Sequence, residues 1–421
     1  MSEWQEFRMD EIALIVDCEH KTAPLVDNSN FYSVRTSNIS NGKIDFEKCN
    51  RVSQETYHEW TKREVPTSGD LVLAREAPIG EIGLIKTGFN VCLGQRTVLI
   101  RVVNPLIYNL YLLYYLVNPN NKNELIEMSG GSVVSHLNMK DIRSYTIRVP
   151  NIVEQTAIAS VLSSLDDKID LLHRQNATLE KMAETLFRQW FVEREGLNHD
   201  SNDYFNGHDS KNQDNQANQK NQGSDNVEEA KEEWENMPLS KMADFLNGLA
   251  CQKFPPKNEI DKLPVLKIKE LSSGITENSD WASTDIKPEY IVKNGDVIFA
   301  WSASLMVKIW DGQNCILNQH LFKVTSVDYP KWFYYLWCKH HLAEFISIAA
   351  SHATTMGHIK RGDLDEAKVL IPSPEELAVM TEQAEPLIDK IISNNTQIRT
   401  LTALRDTLLP KLMSGEVRVS P

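Results

Sequence analysis

The chain has 421 residues, of which 41% are hydrophobic, and its 44 Lys and Arg against 58 Asp and Glu leave a net charge of −14. That length exceeds one ordinary core and suits two to four domains. The absence of any long apolar run and the charged, core-free opening Met1–Asp10 argue against a membrane span and a secretory leader. Cys18, Cys49, Cys92, Cys251, Cys315 and Cys338 lie far apart with no CxxC pair, so neither a zinc module nor a disulfide framework is expected, and a reduced cytoplasmic compartment is.

The first segment, 1–150, reads as mixed α/β. Asp70-Leu-Val-Leu-Ala-Arg75 is a short apolar strand after a Ser-Gly turn, Ile79–Ile85 reads as a hairpin, Val91-Cys-Leu93 is a further strand, and Tyr108–Val117 is an aromatic-rich helix. Between Arg35 and Arg101 there are ten bases against eight acids, which permits a local positive face without demanding one.

The segment 151–195 is a helix. Asn151-x-x-Glu154 after Pro150 starts it as a capping box, and Leu162, Leu165, Ile169, Leu172, Asn176, Leu179, Ala183, Leu186 and Trp190 follow at alternating three- and four-residue steps. This is a heptad seam, which seeks another helix, and a buried Asn in such a seam sets register at a cost in stability. Residues 196–235 hold ten acids and three bases among Asn, Gln and Ser, which is half the net charge of the chain. Such a segment buries too little to offset its ordering entropy and is expected to be a disordered linker.

Residues 236–371 then repeat the first segment and 372–421 repeat the helix. His136 matches His358, Asp141 matches Asp363, Pro150 matches Pro372, Glu154 matches Glu376, and Asp167-Lys-Ile169 matches Asp389-Lys-Ile391, all at one offset. Upstream the offset drifts, with Gly69-Asp70 against Gly295-Asp296, Gln95 against Gln319, and Trp4 against Trp234. Asp296–Trp301 and Cys315–Leu317 are the matching strands, and Trp332–His340 is the matching helix. The second helix starts with Ser373-Pro374-Glu375-Glu376 and carries Ala384, Leu387, Ile391, Asn394, Ile398, Leu401, Arg405, Leu408 and Leu412 on its seam. Chain order predicts antiparallel helices of roughly 60 Å, with two similar heads in a pseudo-two-fold arrangement. The remaining apolar helix residues Ile158, Val161, Phe187, Phe191, Ile388 and Ile392 read as an outer face awaiting a partner.

In this order and duplicated, these motifs resemble the specificity subunit of type I restriction–modification systems. The resemblance rests on Gly130-Gly-Ser132…His136-Leu137…Pro150, Glu154-Gln155-x-x-Ile158-Ala159, Phe187-Arg-Gln-Trp190-Phe191, Leu408–Glu416, Leu93-Gly-Gln95 and Leu317-Asn-Gln319-His320, and covers all but the linker. The second copy departs from it, with Glu375-Glu376 in place of the Glu-Gln pair.

The resemblance implies two target recognition domains, each reading half of a bipartite double-stranded DNA target. The helices would scaffold two methyltransferase subunits, and restriction/translocase subunits would complete the enzyme in phage defence. S-adenosylmethionine, ATP and magnesium are then expected on those partners, and no cofactor or metal on this chain. The candidates for DNA contact are Arg35, Lys43, Arg75, Gln95 and Arg96 in the first head, and Lys269, Trp301, Asn318, Gln319 and His320 in the second. Arg suits guanine, and Gln or Asn suits adenine. His136 and His358 read as structural. No catalytic residue is expected: Asp363-x-x-Glu366-Ala-Lys368 loosely resembles a nuclease core, but its repeat partner, Asp141-x-x-Ser144-Tyr-Thr146, lacks the carboxylate and lysine. The alternatives are a specificity subunit serving a fused methylase-nuclease and a coiled-coil scaffold that binds no DNA.

Overall fold

The computed structural model describes residues 4–129, 136–193, 234–351 and 357–419. Nearly all of the acidic segment 196–235, and parts of the Gly-Ser…His motifs, lie outside the described residues. The chain forms two compact units, Met1–Ile169 with Thr400–Pro421, and Asp170–Arg399.

In the first unit a four-stranded antiparallel sheet runs in the order Ala13–Asp17, Thr97–Val102, Leu71–Ala74, Ile82–Leu84. Leu71–Ala74 is buried at every position, as its unbroken apolar run requires of a central strand. Phe31–Val34 pairs in parallel with Asn90–Leu93 and antiparallel with Asn50–Arg51 in a second, three-stranded sheet. The expected hairpin over Ile79–Ile85 is a single strand, Ile82–Leu84, which pairs back onto Leu71–Ala74. The turn falls earlier, where Gly80 takes φ 75° and donates its N–H to the Ala74 carbonyl.

The second unit repeats this plan. Its sheet runs Asp244–Asn247, Leu321–Thr325, Val297–Ala300, Met306–Ile309. Lys262–Leu266 pairs in parallel with Cys315–Leu317, flanked by Trp281–Ser283 and Ile291–Val292. In each unit the first strand also closes onto the strand that precedes a long helix: Gln5–Arg8 onto Thr146–Val149, and Glu235–Pro238 onto Lys368–Ile371.

The first long helix is Ile152–Phe187, continued by one π-helical turn over Arg188–Val192; the second is Pro374–Ser414. Both starts are capped, the second by the full expected box and the first by half of it, since the Glu154 carboxylate pairs with Arg418. The Asn151 side chain accepts from the Glu154 N–H at 3.0 Å, while Ser373 and Glu376 cap each other reciprocally. In the first unit Ile158 and Leu162 share one core with Leu409, Leu412 and the sheet-covering helix Asn109–Val117. The contacts Glu154–Arg418 and Asp166–Arg405 make the helices antiparallel there. In the second unit Ala183, Ala384, Ile388 and Ile391 share a core with the helix Lys331–His340.

On the seam, Leu162, Ile169, Leu172 and Asn176 are buried on the first helix, and Ile391 and Asn394 on the second. Leu165, Leu179, Leu186, Leu387, Ile398, Leu401 and Leu408 are half-buried. The outer apolar face expected for Ile158, Phe187, Phe191 and Ile388 is corrected by the structure, since all four are buried within the chain itself. Aromatic packing is the reason at the helix end: Phe187 meets Trp337 edge-on at 4.9 Å, and Phe191 packs on Trp234, Phe333 and Trp337.

Candidate nucleic-acid interface

Antiparallel register brings three chain positions to one end of the first unit's sheet. Asp17 closes Ala13–Asp17, Arg75 follows Leu71–Ala74, and Arg96 precedes Thr97–Val102, with Val98 opposite Asp17 and Thr97 opposite Ala74. Arg75 is committed to the fold. Its Nη1 donates to both Asp17 carboxylate oxygens at 3.0 and 2.9 Å, its Nε donates to the Leu137 carbonyl at 2.7 Å, and its side chain is 14% exposed. Arg96 differs. It occupies a left-handed turn with φ 65°, its side chain is 59% exposed, and its Nε meets Glu76 at 2.9 Å. Gln95 is exposed beside it and donates its amide to the His20 carbonyl at 3.3 Å. Gly94 donates to Val34 and lies so close that a Cβ would meet the Arg35 side chain at 2.8 Å, which places exposed Arg35 beside this turn.

The corresponding end of the second unit's sheet holds different chemistry on the same backbone. Asn247, Trp301 and His320 occupy the positions of Asp17, Arg75 and Arg96. Trp301 stacks on Phe322 at 5.7 Å, donates its indole N–H to Asn247 Oδ1 at 3.3 Å, and has the His320 and His358 rings nearby. His320 is exposed, with Nδ1 3.2 Å from the Ser302 hydroxyl and Nε2 3.4 Å from the Gln319 amide nitrogen. The ring with its proton on Nδ1 satisfies both contacts, donating to Ser302 and accepting from Gln319. The backbone of His358 bridges to Ser302, in keeping with its expected structural role. A cleft of about 890 Å³ opens beside Asn247, with Lys241, Tyr290 and Arg361 on its walls.

Asn318 does not join this surface. It is 3% exposed, its N–H donates to Leu266 at 3.2 Å, and its Oδ1 accepts from the His320 N–H at 3.3 Å. Lys43 is half-buried on the short strand Lys43–Ile44, and Lys269 is exposed on the helix Ile268–Ser273.

Sequence reasoning passed over Asp17, Glu76, Asn247 and Ser302, because each gains its meaning from a partner distant in the chain. Asp17, Cys18 and His20 also converge within 4.8 Å in a set that could hold a cation. The Asp17 carboxylate, however, already has the Arg75 guanidinium on both oxygens, and that charge opposes a metal ion. Asp363 caps the helix Arg361–Glu366 by accepting from the Lys360 N–H at 2.6 Å, and Lys368 Nζ bonds the Asp365 carbonyl, so two members of the nuclease-like triplet serve the ends of this helix.

Residues 1–181 and 231–403 match the family model of the type I restriction modification DNA specificity domain. The chain belongs to that family. It is 27% identical over 380 residues to the specificity subunit of the type I restriction enzyme MjaIX from Methanocaldococcus jannaschii, covering 87% of this chain and 82% of that one. It is 20% identical over 352 residues to the HindI specificity subunit from Haemophilus influenzae, covering 72% of this chain and 77% of the relative. The fold is that of the type I restriction–modification S subunit from M. genitalium, with a TM-score of 0.55 at 14% identity over 98% of this chain and 96% of that one.

As a specificity subunit the chain is non-catalytic and recognises the DNA target within its complex. It assembles with methyltransferase and restriction subunits, where the catalytic cofactors reside. Among the described residues no helix is long and apolar enough to cross a membrane.

Proposed function

We propose that residues 1–150 and 236–371 are two target recognition domains, that each reads one half of a bipartite DNA sequence, and that the matched sheet ends carry the reading side chains. The supporting observation is that one backbone plan, with Asp17, Arg75 and Arg96 in one unit and Asn247, Trp301 and His320 in the other, presents two different chemistries. A duplicated binding scaffold with divergent tips suits two different half-sites on duplex DNA.

Arg35, Gln95 and Arg96 carry contact in the first domain; Gln319, His320 and the exposed edge of Trp301 carry it in the second. Lys43 and Lys269 contribute charge toward phosphates. Arg75 and Asn318 hold the reading turns in place. The spacer helices are 151–195 and 372–421, joined to the second domain through the linker 196–235.

Binding of the assembled methyltransferase complex to duplexes with single base changes tests this reading. Gln319→Ala with His320→Ala should erase discrimination at bases of one half-site, at about 1–3 kcal/mol per lost bidentate contact, and leave the other half-site intact. Unchanged discrimination at every position would refute it.

A further inference from the structure

The two reading turns share a construction that their residue types conceal. In the first domain the exposed reader Arg96 is in contact with Glu76 at 2.9 Å; in the second, the exposed reader His320 is in contact with Ser302 at 3.2 Å. Glu76 directly follows Arg75, and Ser302 directly follows Trp301, the residue at the same place on its sheet. Each turn therefore pairs a reader with a companion on the adjacent strand end. One companion is a carboxylate and the other a neutral hydroxyl.

We propose that Glu76 is a specificity-determining positioning residue for the first half-site. This inference rests on the reading of the sheet ends given above and names how one of them discriminates. Glu76 engages Arg96 through Nε, and among the described residues no group holds the two terminal guanidinium nitrogens. An arginine drawn to a carboxylate at Nε leaves its two terminal nitrogens as a two-pronged donor edge, which matches the O6 and N7 acceptors of guanine in the major groove.

The carboxylate also guards the site. Its side chain is 27% exposed at the reader, so it opposes the approach of a lone phosphate, whereas a base offering two acceptors in the right geometry compensates that repulsion. Arg63–Glu19 at 3.0 Å and Arg75–Asp17 at 2.9 Å place two further arginine–carboxylate pairs in the same domain. The second domain has Asn247, Trp301, Ser302 and Gln319 around its reader and no carboxylate among these positions. Discrimination by the first domain is thus guarded by charge, and discrimination by the second is set by shape and neutral hydrogen bonds.

The test uses the full chain assembled with its methyltransferase subunits, and duplexes carrying every single-base change in each half-site. Glu76→Gln should raise methylation of duplexes altered in the first half-site by roughly tenfold relative to the cognate duplex, because about 1.4 kcal/mol of discrimination is lost. The salt dependence of binding to unrelated duplex should steepen by about one ion, since Arg96 is freed for a phosphate. Glu76→Asp should restore part of the discrimination, and base changes in the second half-site should be read as before. A purely structural role for Glu76 would move neither the half-site bias nor the salt slope.

Unaltered discrimination and salt slope in Glu76→Gln would overturn the proposal, and Arg96→Ala then locates the failure. If Arg96→Ala abolishes first half-site discrimination, the sheet end reads DNA without help from Glu76. If it also changes nothing, the placement of the reading surface itself is wrong. Melting curves of each variant check that the fold is intact at this half-buried position.

Discussion

Asn394 donates its side-chain amide to Asn176 Oδ1 at 2.9 Å, and Asn176 donates its own to Asn395 Oδ1 at 2.6 Å. The two asparagines that interrupt the heptad seams thus share one hydrogen bond inside the second unit, where Asn394 is fully buried and its own Oδ1 finds no partner among the described residues. A polar pair at this depth adds little net stability, but it penalises any register that separates its members. Replacing Asn176 alone by Leu strands the Asn394 amide and should cost about 1–3 kcal/mol in a urea melt. Replacing both by Leu should recover most of that loss, so the two changes should be strongly non-additive.

Arg405 falls on a seam position, and the structure shows why it is tolerated. Its guanidinium pairs with Asp166 at 2.8 Å, while Asp166 accepts a second bond from the Tyr114 hydroxyl at 2.8 Å. Arg405→Met would leave the Asp166 carboxylate largely enclosed with the tyrosine as its remaining partner. A loss of about 2–3 kcal/mol in the melt is expected, and Arg405→Met with Asp166→Asn should be milder than Arg405→Met alone.

What the sequence made legible was local or periodic. The Ser373–Glu376 cap, the seam through Leu162 and Asn176, and the central strands Leu71–Ala74 and Val297–Ala300 all follow from spacing that a reader of the chain can count. The surface proposed to read DNA was visible in the sequence only in part, as Gln95, Arg96, Gln319 and His320 at matched repeat positions. Their neighbours were not. The bond between Arg75 and Asp17 spans 58 residues, and no local pattern marks it. Asn318 resembled a reader because it precedes Gln319, but it is turned inward to hold the His320 turn. Phe187 and Phe191 looked like an outward apolar stripe because their aromatic partners on Lys331–His340 lie far along the chain.

All six cysteines are free and buried. Burial pushes the thiols of Cys49 and Cys315 up to about 12, with Asp45 adding to the effect at Cys49, and that of Cys92 up to about 11. These thiols are therefore protonated and unreactive at pH 8. A thiol-labelling reagent should modify none of the six rapidly in the native chain and all six in denaturant, as counted by mass spectrometry.

The acidic segment carries half of the net charge and few apolar residues, a composition that supplies neither a core nor phosphate contacts. Deleting Ser201–Asp225 should leave the recognised bases unchanged when methylated positions are mapped in cells carrying the complex. A change in the recognised bases would assign the segment a part in reading DNA.

The most direct measurement is a genome-wide map of methylated adenines for the native complex and for two variants, Gln95→Ala with Arg96→Ala, and Gln319→Ala with His320→Ala. Two domains reading one half-site each predict a bipartite sequence in the native map, relaxed in one block by the first variant and in the other block by the second. A single contiguous recognition sequence, or either variant relaxing both blocks alike, would contradict the account.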